Sequence, residues 1–175
     1  MIIDSSKARV LPRQRPDSHR GFTLLEFGLT LLIFLFVAIL AGWALARMRH
    51  QTRCEVFARD LQTFSAAFQG YHRKEGKWPA GSNGAAAIPP GMEGPLQDTL
   101  WLKPTPFGGN YGWSTPTPGS PDGGVITVTA FAPQRPLTAS ADDWLQIDAA
   151  LDDGNISTGN FRTGFNGWPV YLIKP

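Results

Sequence analysis

The most distinctive pattern in the chain is an apolar segment from Phe22 to Ala46, in which Glu26 is the only charged residue. As an α-helix, these 25 residues rise about 37 Å, which is enough to cross the roughly 30 Å hydrocarbon core of a bilayer with some tilt. A carboxylate inside such a span costs roughly 2 to 3.5 kcal/mol, so its presence indicates a function. The sequence therefore predicts one transmembrane helix over residues 22–46.

The helical pattern continues beyond the apolar segment with apolar residues at spacings of three and four, which is typical of an amphipathic helix. Gly76 is placed as a C-cap and Pro79 follows it, so we predict one helix from about Phe22 to Glu75. Its amphipathic half covers residues 47–76, and Asp60 falls outside the apolar stripe. The stripe, which we expect to pack against the rest of the domain, comprises Cys54, Phe57, Leu61, Phe64, Phe68 and Tyr71.

Residues 76–124 are rich in Gly and Pro, so regular structure there should be short and interrupted. The segment carries too many large apolar side chains for a solvated linker, and we expect a packed loop framework over the helix stripe. These side chains are Trp78, Leu100, Trp101, Phe107, Tyr111 and Trp113.

Strand signals occur in the second half of the chain. Residues 111–114, 125–131 and 170–174 combine β-branched and aromatic residues beside turn-forming Gly, Asn and Asp. Ser140 is the predicted N-cap of a short helix through Leu151, with Asp143 in its first turn. We therefore predict an α+β fold, in which a long N-terminal helix packs on a small antiparallel sheet of three or four strands.

A short motif overlaps the start of the apolar segment: Arg20-Gly21-Phe22-Thr23-Leu24-Leu25-Glu26. Residues 1–21 carry five Lys or Arg and two Pro. This motif resembles the cleavage and methylation signal of type IV pilins and type II secretion pseudopilins. The resemblance implies that residues 1–21 are a cytoplasmic leader, that cleavage follows Gly21, and that Phe22 becomes the N-methylated N-terminus. A glycine before the scissile bond leaves the backbone open to a peptidase.

The same resemblance implies a pilin-like fold, with residues 77–175 as the globular domain. It also implies a structural subunit without enzymatic activity, held in the bacterial inner membrane with its N-terminus cytoplasmic and its C-terminal domain periplasmic. Its partners would be a prepilin peptidase/N-methyltransferase, other pilin or pseudopilin subunits and an inner-membrane assembly platform. In filaments of this family, the acid at the position of Glu26 meets the N-terminal amine of a neighbouring subunit. The single cysteine excludes an intrachain disulfide, which favours pseudopilins over many type IV pilins.

Two alternatives stay open from the sequence. A secretory signal would use Ala44-Leu45-Ala46 as its cleavage site, although its apolar region is normally 7 to 15 residues and lacks an acid. An uncleaved anchor would instead make the chain a single-pass membrane-anchored periplasmic binding protein with no filament role.

The sequence offers few signals for nucleic acid binding, catalysis or metal binding. Residues 76–175 carry eight Asp or Glu against five Lys or Arg, which argues against nucleic acid binding, and no catalytic motif is present. His50 and Cys54 are four apart on a helix, but two ligands do not make a metal site. We expect no cofactor. The calcium candidates, which have oxygen ligands but not EF-hand spacing, are Asp148, Asp152, Asp153 and Asn155.

Overall fold

The computed structural model describes residues 23–82, 84–115, 123–130, 136–164 and 167–174. The chain divides into two compact units, Met1–Trp43 and Ala44–Pro175. The predicted leader, including Gly21, and Phe22 lie outside the described residues, so cleavage and methylation stay predictions. The division of the chain into a leader (1–21), a transmembrane half (22–46) and an amphipathic half (47–76) of the helix, and a globular domain (77–175) also stays a prediction.

The long N-terminal helix α1 spans Leu24–Glu75 and ends at the predicted residue. Gly76 stops it with a φ of +69°, and its N–H donates to the carbonyl of His72 at 2.8 Å. Among the described residues, α1 is the one helix that is long and apolar enough to cross a membrane. Its large apolar side chains from Leu24 to Met48 are all exposed, which is compatible with a single-pass anchor.

The other elements of the second unit are short. They are α2 (Glu93–Gln97), a 3₁₀ turn (Leu100–Leu102), β1 (Asn110–Ser114), β2 (Gly124–Thr129), α3 (Ala141–Leu151), β3 (Phe161–Thr163) and β4 (Pro169–Ile173). The four strands form one antiparallel sheet in the order β1-β2-β4-β3. The α+β prediction is therefore confirmed, although β3 and α2 were not individually predicted and β2 ends two residues early.

Both edges of the sheet are covered by loop backbone. On the β1 edge, the N–H groups of Ser82 and Ala86 donate to the carbonyls of Trp113 and Tyr111 at 3.0 and 2.7 Å. On the β3 edge, the N–H of Thr163 donates to Ile156 at 3.1 Å. Covered edges offer few free groups for pairing with another strand, so edge-to-edge pairing of this sheet with another chain is disfavoured.

The amphipathic half of α1 supplies one side of an aromatic core. Phe64 meets Trp101 edge to face at 5.1 Å between ring centroids, and Phe68 stacks on Trp113 at 3.9 Å. The stripe residues buried in this core are Cys54, Phe57, Leu61, Phe64 and Phe68, and Tyr71 packs against it half-buried. Leu100 differs from expectation, because its side chain is 40% exposed on the 3₁₀ turn while neighbouring Trp101 fills the core.

The prediction that Asp60 falls outside the apolar stripe of α1 is wrong. The residue is only 8% exposed, and its Oδ2 accepts a hydrogen bond from the hydroxyl of Tyr111 at 3.0 Å. Burial raises the pKa of Asp60 despite the hydrogen bond from Tyr111, and burial together with Asp60 raises the pKa of Tyr111. A buried acid on the apolar face thus ties α1 to β1.

We expect Tyr111→Phe to lower the free energy of unfolding by about 1 to 3 kcal/mol at neutral pH, because it leaves the buried Asp60 carboxylate without its donor. Chemical denaturation of the full chain in detergent measures the loss. In the Asp60→Asn background the same change should cost less, since no charge is then buried. An equal loss in both backgrounds would contradict the pairing.

The raised pKa of Asp60 also sets the sign of a pH effect. The folded state keeps the proton to higher pH than the unfolded state, so stability falls as pH rises from the unfolded pKa, near 3.8, through the folded one. Relative to the parent, Asp60→Asn should therefore gain stability between pH 4 and pH 7.

Candidate functional site

Glu26 lies in the first turn of α1 and forms a capping box with Thr23. The Glu26 Oε2 accepts from both the backbone N–H and the hydroxyl of Thr23, each at 3.2 Å, and the N–H of Glu26 donates to the Thr23 hydroxyl oxygen at 3.2 Å. Such a pair satisfies two backbone donors that a helix N-terminus otherwise leaves free. The helix dipole also favours a negative charge at this end.

This arrangement gives Glu26 a local role that the apolar pattern alone does not reveal. The signal was present in the sequence as Thr-x-x-Glu before an apolar run, which is the pattern of a capping box. The carboxylate is nevertheless exposed, and the residues that follow it along α1 are apolar and exposed as well. Thr23 occupies only one of the two carboxylate oxygens, so Glu26 retains acceptor capacity for another donor.

Arg53 fastens α1 to the loops of the second unit. Its Nε and Nη2 donate to the carbonyl of Pro106 at 3.0 and 2.7 Å, and Nη2 also donates to the hydroxyl of Thr138 at 2.8 Å. The guanidinium lies 4.6 Å from the ring centroid of Phe107. The planar guanidinium has several donors in a fixed geometry, so it can bond both loops at once. These contacts hold the amphipathic half of α1 against the loops.

His50 and Cys54 share a contact that the sequence spacing did not predict. Asp143, in the capping box of α3, places its Oδ1 3.7 Å from both the His50 Nδ1 and the Cys54 Sγ. Burial and the neighbouring Asp143 raise the pKa of the Cys54 thiol to about 11, so the thiol is protonated at neutral pH. Burial opposes ionisation of Asp143, but bonds from Ser140 and the nearby His50 hold its pKa below the usual value. The group therefore joins α1 to α3 and carries no reactive thiolate.

The loop after α3 brings three of the calcium candidates together. Carboxylate oxygens of Asp148, Asp152 and Asp153 all lie within 4.8 Å of one another. Asp148 is fully buried, and neither of its oxygens has a hydrogen bond of standard geometry among the described residues. Burial, then the neighbouring Asp153, raise the pKa of Asp148. Within the described part of the chain, no Lys or Arg forms an ion pair with these carboxylates.

The outer two acids also shape the loop. Asp153 accepts from the N–H of Asn155 at 2.9 Å and from the hydroxyl of Thr158 at 2.8 Å, and Asp152 accepts from the N–H of Asn160. The side-chain oxygen of Asn155 accepts from Ser157 at 3.1 Å. These bonds are those of a turn after a helix, but each carboxylate oxygen has a second lone pair. Three carboxylates, one of them buried, supply hard oxygen donors of the kind that calcium takes, although calcium needs six to eight oxygen ligands in all.

No protein-family model, curated protein or solved structure gives a significant match to this chain. The functional interpretation therefore depends on the residues themselves.

The predicted site residues do not form one site in the structure. Glu26 lies in the first unit, whereas the stripe on α1 and the acidic loop after α3 lie in the second. The residues that sequence reasoning missed are Thr23 as a capping partner, Asp60 as a buried acid and Asp143 as the contact of His50 and Cys54. Only the first of these had a sequence signal, since the other two depend on contacts between distant segments.

Proposed function

We propose that this chain is a pilin-like structural subunit that is cleaved after Gly21, N-methylated at Phe22 and assembled through α1 into a type II secretion pseudopilus or type IV pilus-like filament. The observation that supports the proposal is how the surroundings of α1 change from its first turn to its last. A single acid, Glu26, stands in the first turn of an exposed apolar stretch, and the same helix continues into the stripe that supports a folded domain.

The physical argument concerns how the charge of Glu26 is compensated. In lipid, a carboxylate is costly unless a positive group accompanies it, and cleavage after Gly21 would create an ammonium group on Phe22. The capping box supplies hydrogen bonds but no positive charge. The amine of a neighbouring subunit would supply both, so helix packing in a filament would remove a cost that an isolated subunit bears.

The proposal also assigns a place and partners. The subunit would sit in the bacterial inner membrane with its N-terminus in the cytoplasm and its domain in the periplasm, before it enters the filament. A prepilin peptidase/N-methyltransferase, an inner-membrane assembly platform and other subunits would act on it. Nucleic acid has no part in this function, and neither does catalysis by the subunit.

The mature N-terminus tests the proposal directly. Mass spectrometry of the protein extracted from cells that express it with its own processing peptidase should find N-methyl-Phe22. An intact N-terminus at Met1 would support a membrane-anchored binding protein instead. A new terminus at Arg47 would indicate a secreted domain, and either of these results would overturn the filament proposal.

We also infer that the acidic loop binds calcium, with Asp148, Asp152 and Asp153 as carboxylate ligands. The buried Asp148 supports this inference, because it lies among acids with no cation paired to it in the described part of the chain, and a buried charge without a counter-charge is costly. A bound cation would offset the repulsion among the three acids and hold the end of α3 against the loop. Its role would be structural.

A further inference from the structure

A cleft of about 270 Å³ lies near the C-terminal end of α1, lined by Gln69, His72, Arg73 and Trp78. Every one of these side chains carries at least one N–H donor, and no carboxylate is among them. The cleft lies in the second unit, far along the chain from both Glu26 and the acidic loop. The cleft therefore suits a ligand that accepts hydrogen bonds, and an anionic ligand suits it best.

Trp78 provides the second observation. The residue is 2% exposed, and its indole Nε1 is buried with no hydrogen-bond acceptor among the described residues. The imidazole of His72 stacks on the indole at 4.4 Å between ring centroids and holds the ring in place. Buried N–H donors are nearly always paired in folded proteins, and leaving one unpaired costs free energy. The indole N–H of Trp78 is therefore a donor whose acceptor does not lie within the described part of the chain.

Arg73 provides the charge. Its guanidinium is exposed, and it forms no ion pair within the described residues. The helix dipole accounts for basic residues in the last turn of α1, because cations are favoured at a helix C-terminus. The dipole does not account for a buried indole N–H without an acceptor beside them. A carboxylate is the acceptor that a guanidinium binds most strongly, and its oxygens have further lone pairs for a neutral N–H donor.

We propose that this cleft binds a carboxylate group. Arg73 supplies the charge-assisted hydrogen bonds, and Trp78 and Gln69 supply neutral donors. The Gln69 amide has a hydrogen to spare, because its one described bond is a long one of 3.5 Å to the carbonyl of Lys174. The carboxylate comes either from a free organic acid or from an Asp or Glu side chain of a second copy of this chain. The proposal is independent of filament assembly.

The test follows the indole N–H of Trp78 by NMR, in the full chain solubilised in detergent and labelled with ¹⁵N at tryptophan. Trp78→Phe identifies the resonance. Titration with acetate should move it in a saturable manner, whereas chloride at equal ionic strength should not. Arg73→Gln should weaken acetate binding about tenfold or more, as expected for loss of a charge-assisted hydrogen bond. Lys74→Gln is the matched control, because it removes a neighbouring charge that does not line the cleft.

Each outcome of the titration either supports or overturns the proposed site. A saturable shift that depends on Arg73 and not on Lys74 supports the site. No saturable shift, the same shift with chloride, or an equal response in Arg73→Gln overturns it. Dilution of the acetate-free protein then shows whether the carboxylate comes from a free acid or from a second copy of this chain. A resonance that moves with protein concentration in the parent but not in Arg73→Gln assigns the carboxylate to a second copy, and a constant resonance assigns it to a free acid.

Discussion

Replacing Glu26 with leucine is expected to abolish incorporation of the subunit into filaments while leaving its insertion into the membrane intact. Leucine favours the apolar span, so the anchor is retained or strengthened. The variant removes the only charge in the described part of the span, and with it the group that would pair with the amine of a neighbouring subunit. Filament yield in sheared or cross-linked fractions measures the effect, and fractionation of membranes measures insertion.

Two companion variants separate charge pairing from helix capping. Glu26→Gln keeps a side-chain acceptor for the N–H of Thr23 but removes the charge, whereas Thr23→Ala weakens the capping box and keeps the charge. If pairing drives assembly, Glu26→Gln fails as Glu26→Leu does, and Thr23→Ala assembles. Loss of the cap alone costs only about 1 kcal/mol, which is too little to abolish assembly. Normal filaments from Glu26→Gln would refute the pairing role.

Calcium is expected to raise the melting temperature of the full chain in detergent by roughly 5 to 10 °C at an ion concentration near 100 times the dissociation constant. At the proposed site the ion would bind the folded loop and not the unfolded chain, so it would shift the folding equilibrium by mass action. A chelator should reverse the shift. Differential scanning calorimetry with calcium, with magnesium and with chelator measures it, and magnesium should act more weakly because it demands a tighter octahedral shell.

The variant Asp148→Asn tests the calcium site in a second way, by its stability without calcium and with it. Without calcium, the variant should be at least as stable as the parent, because it removes a buried charge and the repulsion from Asp153. With calcium, it should show little or no shift. The matched control is Asp142→Asn, an exposed acid in the first turn of α3 outside the cluster, which should keep the full response. A parent protein that melts at the same temperature with and without calcium would remove the metal site.

Much of the secondary structure follows from local sequence signals. The end of α1 at Glu75 and both ends of α3 match their predicted residues. Gly76 adopts a left-handed conformation and Ser140 accepts from the N–H of Asp143, so each end is determined by one or two neighbouring residues. Short strands were located less well. β3 has only three residues, and its pairing with β4 carries most of the information about where it lies.

The sequence by itself determined the apolar span and the stripe on α1, because each depends on residues within a few positions of one another. The Thr23-Glu26 pair is equally local, and its capping-box signal was present in the sequence although it was not identified there. The tertiary structure decided the partners of Asp60, Asp143 and Trp78. Asp60 is buried only because Tyr111, 51 residues later, brings a hydroxyl to it. A helical period assigns a face to a residue, but the cost of burying its charge depends on what the opposing segment offers.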